Sequence, residues 1–244
     1  MNGKTEFLIA GDRGLIIKFG DTIDGETNNR IRSFCSVLEK KRIEGIVEVV
    51  PTFNSLSVYY DPCVIKGDRL IKKLSSLLKK SGANSQNGGK TFVIPVLYGG
   101  KWGEDLNDVV AHAHLTADEV IKIHSSTDYL IYMLGFLPGF AYLGGLDERI
   151  VTPRLDTPRT KIHAGAVGIG GEQTGIYPLA SPGGWRLIGT TPVKIYDANR
   201  AEPILYKAGD KIRFKPVTED EFYEIEKAVN ENRYEVTVLG GDEK

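Results

Sequence analysis

From Met133 to Pro192 the chain reads MLGFLPGFAYLGGLDERIVTPRLDTPRTKIHAGAVGIGGEQTGIYPLASPGGWRLIGTTP. Glycine lets backbone turn tightly or approach another group closely, and proline fixes φ and removes a donor. With both recurring every few residues, few helix-forming runs remain. The segment has to fold as short strands joined by tight corners. It interleaves those corners with Tyr, Trp, Arg, Gln and Thr, the side chains of a shaped surface carried on a rigid scaffold.

Strands are expected at Thr91 to Tyr98, Asp128 to Leu134, Ala166 to Ile169, Pro192 to Tyr196 and Lys211 to Lys215. Many short strands with Gly/Pro turns point to a β-barrel or a sandwich. Two helix starts are marked by capping boxes, Thr116 with Glu119 and Thr218 with Glu221. The first opens a helix over about 117–124, preceded by a shorter one through Val109 and Val110; the second ends near Asn230.

The first third differs. Phe7 to Phe19 is apolar around Gly11-Asp12-Arg13-Gly14, a hairpin or a bent strand. Ile31, Phe34, Cys35 and Leu38 recur at helical spacing within 25–41, and Leu70, Ile71, Leu74, Leu77 and Leu78 do so within 66–80. Ile46 to Val50 and Leu56-Val58-Tyr60 read as strands. A small antiparallel sheet with two helices on one face is the simplest packing. Residues 81–90, SGANSQNGGK, can contribute nothing to a core and read as a linker. The expected organisation is a small α/β domain over 1–82, a linker over 83–90 and a second domain over 91–244.

Lys and Arg total 31 against 32 Asp and Glu, a net charge of −1 in 244 residues, so no general field steers nucleic acid or an anionic membrane. No run of eighteen apolar residues exists, and the two cysteines, Cys35 and Cys63, accompany no secretory signal. A cytoplasmic protein with two unpaired thiols is expected.

Familiar catalytic loops are missing: no GxxxxGK[ST] and no GxSxG. Gly168-Ile169-Gly170-Gly171 is followed by Gly175 and Pro178, which forbid the helix a dinucleotide loop requires. His112 and His114 would point apart on a helix, and no cluster completes a ligand set, so no metal is expected. Arg154 and Arg159 each follow a proline, which fixes where the guanidinium fork points. Such a fork matches a carboxylate or a phosphate; the alternative is pairing with Asp147, Glu148 or Asp156. Gln173, Thr174 and Tyr177 offer neutral donors and acceptors, and Trp185 sits on the Pro182-Gly183-Gly184 turn as an apolar wall, a pocket's usual ingredients. Asp105 and His124 are the acid–base candidates by residue type, with His163 behind them.

These motifs occur together. MLGF, PGFAYLGGLD, TPR, PRT, GEQTGIYP, SPGGW and IGTTP, with YDP at Tyr60 to Pro62, VLYGG at Val96 to Gly100 and EDL at Glu104 to Leu106, resemble the family formed by the B subunits of 5-oxoprolinase. That family includes allophanate hydrolase subunit 1 and the sporulation kinase inhibitor KipI. One departure is His163 in KIHAG, where the resemblance leads one to expect proline. The resemblance implies an α+β N-terminal domain followed by a cyclophilin-like β-barrel, equivalent to part of a carboxyltransferase domain. It implies a hydrolase component that works with 5-oxoprolinase A and C subunits in the ATP-driven opening of 5-oxo-L-proline to L-glutamate, with an ATP site shared across the complex. In that frame Arg154 or Arg159 would hold a small carboxylate, Gln173, Thr174 and Tyr177 the lactam, and Asp105 or His124 would move protons. The competing reading is a KipI-like inhibitor docking on a histidine kinase.

Overall fold

A computed structural model describes residues 5–80, 89–135 and 137–240. Most of the expected linker, residues 81–88, lies outside the described residues. The chain divides into two compact units, residues 1–87 and 88–244.

In the first unit β1 (Glu6–Ala10) and β2 (Gly14–Lys18) form the hairpin around Gly11. They are followed by α1 (Gly25–Lys41), β3 (Ile46–Pro51), β4 (Ser55–Tyr60) and α2 (Gly67–Lys80). The sheet is antiparallel throughout in the order β1-β2-β4-β3. Asp24 caps α1 by accepting the Thr27 amide at 2.8 Å, and Arg42 ends it in the left-handed region. Leu15, Ile17, Leu56 and Val58 from one sheet face share a core with Ile31, Phe34 and Leu38 of α1 and Leu70 and Leu74 of α2. This follows from period 2 in the strands and 3.6 in the helices. Cys35 and Cys63 are free thiols, and burial pushes the Cys35 thiol up to about 12.

The second unit runs β5 (Thr91–Tyr98), α3 (Leu106–Ala113), α4 (Ala117–Ser125), β6 (Asp128–Leu134), β7 (Ala141–Gly144), β8 (Arg159–Ile162), β9 (Ala166–Gly170), β10 (Gln173–Ile176), β11 (Ser181–Gly183), β12 (Arg186–Thr190), β13 (Lys211–Pro216), α5 (Glu219–Asn230) and β14 (Val238–Leu239). Its main sheet follows β10-β9-β12-β5-β13-β6-β7, with β14 also on β5. The two end strands, β10 and β7, lie side by side, so the sheet curls into a nearly closed barrel. This is the cyclophilin-like arrangement. β5 and β13 pair in parallel, while β8 and β11 form a separate antiparallel ribbon. Pro95 costs the barrel nothing. Val93 donates to Thr237 on the β14 side of β5, so position 95 faces the same edge, between the β14 and β12 pairings.

Both capping boxes are present, at Thr116/Glu119 and Thr218/Glu221. Ile94, Val96, Tyr129, Ile131, Val167, Ile169, Ile188, Ile212 and Phe214 fill the barrel, and Leu106, Val109, Val120 and Ile123 pack α3 and α4 onto it.

One expected strand is displaced. Pro192 to Tyr196 is irregular, apart from a single bridge between Tyr196 and Ile204, and the ladder strand is β12, upstream. Beyond Thr190 the backbone turns off the sheet: Thr191 N donates to Gly165, and Val193 N to the Thr191 hydroxyl at 3.2 Å. Val193 and Ile195 are apolar because they are buried in the core, with no ladder involved. Strands β7, β10, β11 and β12 contain Gly or Pro, and β8 and β14 run for only four and two residues, so periodicity does not reveal them.

Candidate functional site

Trp185 is the centre of the glycine-rich region. It is buried with Phe140, Ile162, Ala166, Tyr177 and Leu187 in a cluster of their own. Phe140 meets its ring edge-on at 5.5 Å and Tyr177 at 5.9 Å. The nearby glycines make room for the indole. A Cβ added at Gly170 would fall 2.6 Å from Cγ and closer still to Cδ1 and Nε1, and one at Gly175 would sit 3.1 Å from Cζ3. This is why a GIGG run occurs on β9 with no nucleotide to hold: glycines let a large ring lie flat on a strand.

Arg154 lies across this ring, its Cζ 6.0 Å from the centroid. Its segment is tied down on both sides. Gly171 N donates to Thr152 O at 2.8 Å, Leu155 N to Gly184 O at 2.7 Å, and the Arg186 guanidinium to Pro153 O at 3.3 Å. Asp108 forms an ion pair with Arg186. Arg154 itself is exposed and has no carboxylate partner among the described residues. Cation–π attraction fixes its position while leaving its donors open. Tyr177 points into the same cluster. Burial pushes its phenol up, opposed by the Trp185 backbone and the positive charges of Arg154 and Arg159. Gln173, half-buried, opens β10 directly opposite Gly170. Arg154, Gln173, Tyr177 and Trp185 therefore share one neighbourhood.

The other sequence candidates fare differently. Arg159 does not pair with Asp147, Glu148 or Asp156. Its Nε donates to Glu104 at 3.1 Å, its second terminal nitrogen to Asp105 at 2.8 Å, and its first reaches the Trp185 carbonyl at 3.5 Å. All three guanidinium nitrogens have a partner, so Arg159 acts as a strut. Asp105 is equally committed: one oxygen takes Arg159, the other accepts Leu187 N at 2.6 Å, and its own amide donates to Leu187 O at 2.9 Å. This pins the start of α3 to β12. Asp105→Ala leaves Leu187 N buried and unpaired and is expected to cost about 2–4 kcal/mol. A lower urea midpoint with an unchanged m-value checks it.

His124 lies in the barrel core, stacked on Phe214 at 4.5 Å. Tyr98 Oη is 2.7 Å from its Nδ1, Thr174 Oγ1 is 2.7 Å from its Nε2, and Thr174 donates onward to Gly168 O at 3.0 Å. That order makes Nε2 the protonated nitrogen, with Tyr98 donating to Nδ1. Burial lowers the His124 pKa to about 3. Thr174 and His124 form a sealed neutral chain, unable to trade protons with a ligand at Trp185.

Comparison with known proteins places these features. The model of the carboxyltransferase domain, subdomains C and D, matches residues 5–206. The B subunit of 5-oxoprolinase from Bacillus subtilis (strain 168) is 36% identical over 230 residues, 90% of this chain and 96% of that one. Its counterpart from Haemophilus influenzae (strain ATCC 51907 / DSM 11121 / KW20 / Rd) is 47% identical over 171 residues, 70% of this chain and 79% of that one. The crystal structure of TTHA0988 superposes with a TM-score of 0.75 at 36% identity; it covers 84% of this chain, which spans only 40% of that longer one. A barrel whose Gly/Pro corners seat a tryptophan beneath an open arginine, in a chain matched over most of its length, belongs to the carboxyltransferase-domain family, subdomains C and D.

Proposed function

We propose that this chain is the B subunit of an ATP-dependent 5-oxoprolinase, which opens 5-oxo-L-proline to L-glutamate together with an A and a C subunit. The relatives named above supply the activity. The observation that carries the chain's own role is Arg154, an unneutralised guanidinium held over the Trp185 face. It suits a small carboxylate, with Tyr177 and Gln173 beside it for an amide.

The described residues carry no familiar nucleotide loop. A helix N-terminus is a common phosphate cradle, but those of α1, α4 and α5 are taken by their own acidic side chains, Asp24, Glu119 and Glu221. In this reading the ATP site is shared with the partner subunits, and this chain's part is to bind and orient the acid. No helix among the described residues is long and apolar enough to cross a membrane.

The test is glutamate formation from 5-oxoproline and ATP by the chain mixed with A and C subunits. Arg154→Ala should raise KM for 5-oxoproline about 10- to 100-fold, the range of a charge-assisted hydrogen bond, without shifting the unfolding midpoint. Absence of glutamate from the complete wild-type mixture would overturn the reading.

A further inference from the structure

With Asp105 saturated and His124 sealed in the core, the site's acid–base work falls to a residue that residue type did not single out. Glu104 is adjacent to Asp105 and meets the same Arg159 guanidinium, but from the solvent side. Its side chain is 56% exposed against 8% for Asp105. One carboxylate oxygen, Oε1, accepts Arg159 Nε at 3.1 Å, and the same guanidinium reaches the Trp185 carbonyl, so Glu104 is two contacts from the tryptophan under Arg154. The guanidinium carries one positive charge against two carboxylates, so the three groups together carry a net negative charge. Asp156 and Glu172, in the segments around Arg154 and Gln173, are also exposed, but neither forms an ion pair among the described residues.

A second group stands behind Glu104. His163 holds Thr190 Oγ1 at 3.1 Å from Nε2 and packs against the Trp102 ring at 5.1 Å. The Trp102 indole nitrogen is buried and has no hydrogen-bond partner among the described residues. Burial lowers the His163 imidazole, and the negative charge of Glu104 pulls it back up, so the two groups sense each other. The charged groups around Glu104 are Arg159 from β8, Asp105 from its own segment, His163 just past β8, and Lys101 across the Trp102 ring at 5.0 Å.

We propose that Glu104 is the proton-transferring carboxylate of this site and that His163 is a positioning residue that tunes it. This rests on the 5-oxoprolinase reading. In the ring-opening step, the lactam oxygen having taken the phosphoryl group of ATP, the oxygen of water would bond to the lactam carbon and the C–N bond break, and a second water would then release phosphate from the acyl phosphate left behind. One water proton passes to Glu104 and from there to the departing nitrogen, which restores the carboxylate. Arg154 holds the substrate's own carboxylate at the far side, and Arg159 holds Glu104 in place.

The experiment uses the complex of this chain with A and C subunits and 5-oxoproline. Glu104→Gln should lower kcat about 100-fold or more, as loss of a general base does, with KM changed less than about threefold. It should also abolish the acidic limb of the kcat/KM–pH profile. Glu104→Asp, which keeps the charge and the Arg159 pair, should lose kcat while matching the wild-type unfolding midpoint; that separates chemistry from folding. His163→Gln should move the acidic limb and leave KM unchanged. In NMR of the isolated chain, Glu104→Gln should move the His163 titration to lower pH. An active wild-type complex in which Glu104→Gln keeps kcat within about threefold overturns the assignment to Glu104, and an unmoved His163 titration overturns the coupling. An inactive wild-type complex overturns the 5-oxoprolinase reading and this role with it.

Discussion

Gly170→Ala is expected to destabilise the chain by about 3–5 kcal/mol, the range for losing a buried aromatic side chain's packing. The new methyl cannot be accommodated by a small shift. It would overlap three atoms of the indole, and Trp185 is wedged between Phe140, Tyr177 and Gly175. The ring must leave, and Arg154 loses its platform with it. Gly171→Ala is the control. Its φ is +67° with nothing within 4 Å, so an added methyl there meets only backbone strain of about 1 kcal/mol. Urea unfolding of the two variants should separate them clearly. In a cycle with Trp185→Leu, the Gly170 substitution should lose most of its cost, because the group it strikes has been removed. Equal destabilisation in both backgrounds would show that the glycine serves something other than the indole.

The second large effect is an acid instability that originates in the barrel core. His124 is neutral in the folded chain with its pKa pulled down to about 3, while in the unfolded chain it titrates near the ordinary 6.5. Below 6.5 the unfolded state therefore binds a proton that the folded state refuses. Stability attributable to this group is complete above that pH. It falls by up to about 1.4 kcal/mol per unit as the pH drops toward 3, on the order of 5 kcal/mol in all. Carboxylates held down by their partners, such as Asp147 beside Arg149, lose their contribution only at lower pH. The window from 6.5 to about 4.5 thus belongs to the lowered imidazoles, His124 and, with its smaller shift, His163, ahead of the carboxylates. His124→Gln lowers stability at pH 7 but should flatten the dependence across that window, and the His124 ring proton should not shift between pH 8 and 5. Parallel curves for the two proteins would mean that the imidazole charges in place.

The two predictions concern residues that the sequence places in very different lights. Trp185 on its Gly/Pro turn, Tyr177, Gln173 and Arg154 are all readable as parts of one surface. Their motifs are local: a proline before the arginine and glycines before the tryptophan act within a few residues. His124 is not readable in the same way. Capped-helix position and residue type fit an acid–base group, but its stacking on Phe214 and its bond to Thr174 depend on strands that arrive from far along the chain. Arg159 misleads for a related reason. Its partners lie at positions 104 and 105, more than fifty residues upstream, and nothing nearby in sequence announces that the fork is already filled. Chain stereochemistry alone excludes a nucleotide loop at the GIGG run, yet the purpose of those glycines is visible only with Trp185 lying on them.

What the amino-acid sequence determined alone was everything governed by short-range periodicity and stereochemistry. That includes the first unit's hairpin and helices, both capping boxes, the barrel-forming character of the second half and the family. Tertiary structure decided which polar side chains are free. Charge compensation and desolvation depend on distances between segments far apart along the chain. They turned Arg159 and Asp105 into a strut, sealed His124 and Thr174 in the core, and left Arg154 and Glu104 open to solvent.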